Sequence, residues 1–371
     1  MKNPFHIFGF GLALFYLAFN IYIAVWLAFR LRLGPKGRFI VFEAALLLSA
    51  FYPAVRTFAP AHFGGIADVL LWLALFGFGA SFIFFWVLLV CDLALAALKA
   101  LGVGWARGRP AAAAALALAA GFLALAAWHG AEVPRPKRVE VMVKGLPRAL
   151  DGFTIIQISD LHLGRMIKLE RLEKIADTIN ELRPDLVVFT GDFSESREPK
   201  PEGTCGVVKG MYSRYGKAAV LGNHDMFTGV AAQADFFEAC GVKMLRGSSY
   251  EPAPGLVVAG VDDLRRAGGG AVKKLAASLD RSKPLLFLSH QPQGFDEITA
   301  AGSGLVLAGH THAGQIFPFG PLERGMFKYF YGLYKAGDFS VYVTSGAGAW
   351  GPPLRLFADA ELPLFVLRSR V

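Results

Sequence analysis

Five apolar runs in this 371-residue chain each stop at side chains able to hold a metal or move a proton. Residues 153–158 lead into Asp160 and His162, 186–190 into Asp192, and 218–221 into Asn223, His224 and Asp225. Residues 284–288 lead into His290, and 305–308 into His310 and His312. The chain has eight histidines, and five of them sit at these ends, with three aspartates and one asparagine. Neutral imidazole and carboxylate suit Zn, Mn and Fe. A single tetrahedral zinc would not use so many donors. Two metals sharing a bridging carboxylate would, and such pairs hydrolyse phosphoesters by polarising phosphoryl oxygens and supplying a hydroxide nucleophile. An isolated Asp-x-His or Gly-Asp arises often by chance; the ordered set is specific. Within Gly222-Asn223-His224-Asp225, His224 reads at first sight as one more ligand.

The elements that must position these residues alternate. The runs above read as buried strands. Residues 168–182 carry Leu169, Leu172, Ile175, Ala176, Ile179 and Leu182 on one helical face, and Pro184 stops that helix. Helices are expected near 207–215, 235–239 and 271–279, and further strands near 242–245, 256–261, 341–344 and 364–367. Val139, Val141 and Val143 alternate with polar residues and predict a first, half-buried strand. In sheets of this kind ligands bind at the carboxyl ends of strands, where this chain keeps its candidates.

The first third differs. The hydrophobic fraction of 54% is too high for an ordinary soluble protein, and the excess lies before residue 130. Four apolar stretches read as membrane helices: 7–29, 39–55, 66–97 and 111–128. A crossing needs about 20 apolar residues. The first and third meet that easily, the second is short and carries Glu43, and the fourth is rich in alanine. Positive charge gathers after the first stretch (Arg30, Arg32, Lys36, Arg38) and after the third (Lys99, Arg107, Arg109), against only Lys2 and Arg56 in the alternate positions. The positive-inside rule then puts both ends of a four-helix unit, and the large domain, on the extracytoplasmic side. Arg135, Lys137 and Arg138 just past the fourth stretch weigh the other way. The net charge of +9 fits cytoplasmic loops of a membrane protein better than nucleic acid, for which no motif is present. Glu43, Asp68 and Asp92 fall near segment ends, where interfacial water meets their charge. Cys91, Cys205 and Cys240 form no disulfide framework and no C-x-x-C pair.

The series SDLHLG, TGDF, GNHD, LSHQP and GHTH closely resembles the calcineurin-like metallophosphoesterase superfamily, in order and in the spacing of about thirty residues between the first three. The pieces GHTHAGQ and SGAGAWGPPLR resemble a narrower group of membrane-anchored bacterial phosphoesterases and similar transmembrane proteins of animals. The resemblance implies N-terminal transmembrane helices (1–130), a linker and first strand (131–150), and an α/β metallophosphoesterase domain (151–371). That domain would be a four-layer αββα fold, two mixed sheets flanked by helices. It implies two divalent ions (Mn, Fe, Zn or Ni). Asp160, His162 and His312 would hold one, Asn223, His290 and His310 the other, and Asp192 would bridge both. A metal-bridged hydroxide would attack phosphorus. His224 would not bind metal; it would stand over the phosphate and protonate the leaving oxygen, with Asp225 orienting it.

The implied protein is an integral membrane enzyme of a bacterial inner or plasma membrane. Its partners would be the bilayer and a phosphorylated lipid or lipid-linked pyrophosphate such as UDP-2,3-diacylglucosamine. That example needs a cytoplasmic site and conflicts with the loop charges. The alternative is a catalytically silent membrane scaffold or sensor, against which the full set of ligands argues. The aromatic stretch 326–334 reads equally as an interfacial surface and as packed structure. Arg355 is either a phosphate contact or a surface charge, and Asp262 and Asp263 are turn residues rather than ligands.

Overall fold

Four long helices occupy the first third of the computed structural model, which describes residues 4–58, 64–102, 109–195, 200–264 and 268–370. They are α1 (Pro4–Arg30), α2 (Pro35–Phe58), α3 (Gly64–Ala100) and α4 (Arg109–Ala131). All four are long and apolar enough to cross a membrane, and α4, the alanine-rich one, is more apolar than α2. Lys2 and Arg107 lie outside the described residues. With lipid on the outside and no water between helices, polar side chains become the ties. Asn20 of α1 donates to Ser49 Oγ of α2 at 3.0 Å and accepts from Ser81 Oγ of α3 at 2.7 Å. Asp92 is not left to interfacial water. Its carboxylate takes Arg30 at 2.6 Å, Trp26 Nε1 at 3.0 Å and Tyr22 Oη at 3.1 Å, all from α1.

By contacts the chain divides into two units, 1–131 with 351–356, and 132–350 with 357–371. The inserted hexapeptide belongs with the helices. Arg355 N donates to Ala126 O at 2.9 Å, and a methyl group on Gly130 would overlap the Pro353 carbonyl. Arg355 is fully buried, which rules out a surface charge.

The second unit is built from β1 (Arg135–Lys144), β2 (Thr154–Ile158), α5 (Leu169–Leu182), β3 (Leu186–Thr190), α6 (Thr204–Gly210) and β4 (Lys217–Val220). It continues through α7 (Asn223–Thr228), α8 (Val230–Ala239), β5 (Lys243–Met244), β6 (Ser248–Ala253), β7 (Leu256–Gly260) and α9 (Gly269–Ser278). It closes with β8 (Leu285–Leu288), α10 (Asp296–Thr299), β9 (Gly304–Ala308), α11 (Phe319–Arg324), β10 (Gly332–Ala336), β11 (Phe339–Val343) and β12 (Glu361–Arg370). One sheet has the order β1-β12-β2-β3-β4-β5 and the other β10-β11-β9-β8-β7-β6. Both are mixed: β2, β3, β4 and β5 run parallel, as do β7, β8, β9 and β11, with antiparallel pairs at β12/β2, β6/β7 and β10/β11.

The central strands are buried on both faces, so they read as continuous apolar runs. In β3, Leu186 and Val188 enter the core between the sheets, while Val187 and Phe189 meet Leu172, Ile175 and Ile179 of α5. In β8, Leu286 and Leu288 enter the same central core, while Leu285 and Phe287 pack with Val272 and Leu275 of α9. Period-two alternation across two buried faces thus produces the four layers. The N-terminal linker is mostly strand, since β1 pairs in parallel with β12 along its whole length. The edge strands β6 and β10 were not expected, because their faces are half exposed and carry no apolar run.

The cysteines differ from the sequence reading. Cys205 of α6 and Cys240, which ends α8, are joined in a disulfide with Cα atoms 5.2 Å apart. Thirty-five residues separate them, so no local pattern announced the pair.

Candidate metal centre

Strands β2, β3, β4, β8 and β9 stop two or three residues before the first of their polar groups, and their loops are stitched together. Asp160 N donates to Gly191 O and His162 N to Asp192 O, each at 3.0 Å, and Gly309 N donates to His290 O at 2.9 Å. The two sheets are tied below the site by Gln157, which donates to Thr190 Oγ1 at 2.8 Å and to Ala308 O at 3.1 Å. The carboxylates lock the loops further. Asp192 Oδ1 accepts from His224 N at 2.8 Å, and Asp160 accepts from His310 N at 3.1 Å. Two glycines leave room for this: a methyl group on Gly222 would overlap Asp192, and one on Gly309 would overlap Asp160.

The backbone here is strained. Asp160, His162, Asp192, His310 and His312 all have φ between 49° and 74°, the left-handed region that side chains other than glycine rarely enter. Such residues persist only where the surroundings over-determine them, and they gather at functional sites.

The side chains converge in three groups, of which one, His162, Glu195 and His224, shares His162 with another. Asp160, His162 and His312 bring one donor atom each within 4.8 Å of one another, and so do Asp192, His290 and His310. His162 Nε2 lies 3.2 Å from His312 Nε2, and His290 Nε2 lies 3.1 Å from both His310 Nδ1 and Asn223 Oδ1. Asp192 Oδ2 sits between the groups, 3.2 Å from His290 Nε2 and 3.8 Å from His162 Nε2. Ring nitrogens and carboxylate oxygens pointing at common centres form a donor set for divalent ions. The far side of His290 is fixed as ligating histidines usually are, with Nδ1 on Thr190 O at 2.9 Å. The charges are coupled. Burial opposes ionisation of Asp192, but His290, His224 and His162 outweigh it and hold its carboxyl well below the usual range. Burial would lower His290, but the Asp192 and Asp160 carboxylates push it up to about 10. Asp160, buried completely, is raised.

Every ligand candidate from the sequence, Asn223 included, therefore falls in this one cluster. His224 lies beside it and keeps 14% of its side chain exposed, against 1% for His162 and 0% for His290. Asp225 is not its partner. Asp225 is fully buried, and its carboxylate accepts from the amides of Gly222 (3.0 Å), Ser194 (3.1 Å) and Phe193 (3.4 Å) and from Gln233 Nε2 (3.1 Å). It caps the loop that carries Asn223 and His224, and burial raises it to about 6. The place expected for it is taken by Glu195, whose two oxygens lie 3.1 Å from His224 Nδ1 and 3.1 Å from His162 Nδ1. Those histidines hold Glu195 far below the ordinary carboxylate range despite its burial. Sequence reasoning missed Glu195, and its only signal was its place three residues after Asp192. Asp262 pairs with Arg246 at 2.9 Å, and Asp263 accepts from Gln291 at 2.7 Å, a structural role for both.

Residues 153–314 match the family model for calcineurin-like phosphoesterases. The chain is 33% identical over 270 residues to the uncharacterized metallophosphoesterase YkuE of Bacillus subtilis, covering 68% of this chain and 94% of that one. It is 33% identical over 257 residues to the transmembrane protein with metallophosphoesterase domain of Danio rerio, a match spanning 65% of this chain and 59% of the relative. A dimetal phosphatase from Danio rerio aligns structurally at 12% identity with a TM-score of 0.35, over 53% of this chain and 88% of that one. With the Bacillus relative matched almost end to end, the chain belongs to the calcineurin-like metallophosphoesterase family.

Proposed function

We propose that the protein is a membrane-anchored phosphoesterase dependent on two divalent ions and acting on a lipid phosphate or lipid-linked pyrophosphate. The observation that supports the chemistry is Asp192 Oδ2, which groups with His290 and His310 and also lies 3.8 Å from His162 Nε2 of the group Asp160, His162 and His312. Asp160, His162 and His312 would hold one ion and Asn223, His290 and His310 the other, with Asp192 shared. When bound, such a pair polarises phosphoryl oxygens and makes a hydroxide nucleophile available at neutral pH. The chain's own part is to orient and to move the proton. Glu195 fixes His224 through Nδ1, so Nε2 is the atom assigned to hand a proton to the leaving oxygen. The short link between Asp192 and the His224 amide keeps that ring registered to the Asp192 carboxylate.

The four apolar helices support a substrate drawn from the bilayer. Loop charge supports an extracytoplasmic catalytic unit, and the Cys205–Cys240 disulfide supports the same side, because such bonds persist in oxidising compartments. On that side a UDP-linked lipid made in the cytoplasm is the weaker candidate, and an outward-facing lipid phosphate the stronger.

The test is Asp192→Asn in the full chain, assayed with Mn on bis(4-nitrophenyl) phosphate. Loss of turnover with loss of bound metal is expected. Unchanged activity sinks the two-metal reading, and no activity in the unmodified chain favours a silent scaffold. A C-terminal reporter active only outside the cytoplasm fixes the side, and a signal from the cytoplasmic reporter instead would overturn that part.

A further inference from the structure

Among the described residues, aromatic rings stand at the rim of the cluster. Phe227 and Trp350 stand beside His224 with ring centroids 6.1 and 5.9 Å away, and Phe327 stands 5.8 Å from His310. Phe227 and Trp350 remain 39% and 45% exposed. Trp350 is held in place by a reciprocal amide pair: Gln315 Nε2 donates to its carbonyl and its N–H donates to Gln315 Oε1, each at 2.9 Å. Exposed apolar side chains continue around α11. Phe317, Leu322 and Met326 are 49%, 62% and 76% exposed, and Phe357 packs its ring 5.9 Å from Phe317 while staying 64% exposed. Single exposed apolar residues need no explanation, but this many large ones in and around one short helix beside a polar site mark an interaction surface.

The stretch 326–334 thus splits in two. Tyr329 and Phe330 are buried and structural, whereas Met326, Tyr331 and Leu333 face outward. Arg324 adds a cation to the same helix, 5.6 Å over the Phe330 ring. Glu323 opposes it near neutral pH with only part of a full charge, because burial pushes its carboxyl up to about 7. Apolar rings, a ledge and a cation fit an anionic amphiphile, and the helices of the same chain keep a bilayer of such molecules at hand.

We infer that this ledge docks a bilayer lipid. Its acyl chains lie along Phe317, Leu322, Met326 and Phe357, and its linking region passes between Phe227 and Trp350. Its phosphate reaches the histidine–carboxylate cluster. Only the last of these rests on the phosphoesterase reading above.

Two measurements on the full chain test it. In the first, Met326→Cys in a Cys91→Ser background is labelled with bimane without reductant and placed in phosphatidylglycerol nanodiscs containing doxyl-labelled lipid. Lys274→Cys, on α9, is the control. Quenching at position 326 exceeding that at 274 by at least roughly twofold is expected for a side chain sunk at the acyl boundary. Equal quenching overturns the ledge. In the second, two 4-nitrophenyl phosphodiesters are compared with Mn, one carrying a methyl and one a hexadecyl group. A kcat/KM preference for hexadecyl of at least about tenfold is expected, the effect of seating as few as two methylenes. Phe317→Ser with Met326→Ser, and separately Trp350→Ser, should shrink that ratio toward one. A ratio near one in the unmodified protein overturns the inference. Cleavage of neither ester, with quenching at 326 retained, removes the phosphoesterase reading and leaves the lipid surface standing.

Discussion

Glu195→Gln separates the two carboxylates near His224. Glu195 lies 3.1 Å from both His224 Nδ1 and His162 Nδ1, so the change replaces two charge-assisted contacts by neutral ones at unchanged size. Hydrogen bonds to charged groups contribute about 1.5–3 kcal/mol against about 0.5–1.5 for neutral pairs. The loss at His224 is therefore about 1–2 kcal/mol, which is about 5- to 30-fold in kcat. The loss at His162 is felt by the metal instead, because partners behind a ligating histidine change affinity by about 10- to 100-fold. The assay is Mn-dependent hydrolysis of bis(4-nitrophenyl) phosphate across a Mn titration, with bound metal counted by mass spectrometry. At saturating Mn, kcat should stay depressed while KM moves little. Glu195→Asp, which keeps the charge but is one methylene shorter, should recover part of the loss. Asp225→Asn is the contrast. It turns one of the two oxygens into an NH2 group facing two of the four donors (the Gly222, Phe193 and Ser194 amides and Gln233 Nε2), so it should lower Tm, whereas Glu195→Gln leaves Tm nearly unchanged. If Glu195→Gln kept kcat within about twofold at saturating Mn, the assignment of Glu195 to His224 would be refuted.

His224→Ala should lower kcat by about 10²- to 10⁴-fold, the usual span for a lost proton donor, while bound Mn stays at the wild-type level. A vacated metal position in that variant would return His224 to the ligands. Glu323→Gln should change stability with a defined sign. Burial raises the folded carboxyl from 4.5 to about 7, so its contribution is fully present below 4.5 and is lost as pH rises through 7. Wild type should thus be less stable at pH 8 than at pH 5 by about 1–3 kcal/mol after discounting partial exposure, and Gln should flatten that slope in chemical denaturation. A slope unchanged by the substitution would contradict the burial of this group. Gly309→Ala should weaken metal binding, because the added methyl group must displace the Asp160 carboxylate. Isothermal titration with Mn reads this directly, and unaltered affinity would mean the loop yields.

The fold was legible where burial was complete. Strands β3, β8 and β9 have every residue buried, so their apolar runs matched the observed bounds to within a residue. Helix α5 was equally plain, because its apolar face repeats and Pro184 follows it. Legibility failed where one face meets water or where partners are distant. Strand β10 alternates between exposed and half-buried residues. Cys205 and Cys240 meet only because α6 and α8 pack side by side on the same face of a sheet. Asp92 looked hydrated because Tyr22, Trp26 and Arg30 lie more than sixty residues away.

The site shows the same division at closer range. A metal centre demands particular atoms, so its candidate ligands are limited in type and could be named one by one at the strand ends. What orients a catalytic imidazole is not fixed in type. Any carboxylate within reach of Nδ1 serves, and Asp225 had adjacency in its favour. Adjacency is a poor guide here, because α7 begins at Asn223 and turns neighbouring side chains to different sides. Asp225 points back into the loop amides and His224 outward to Glu195. The left-handed φ values at five ligand positions have the same origin. Each lifts a side chain into the cluster where ordinary extended backbone would alternate it away, and that conformation is imposed by the neighbouring loops rather than by local sequence. A strand-end motif therefore states which residues are needed, and only the packing of loops from both sheets decides which way each one points.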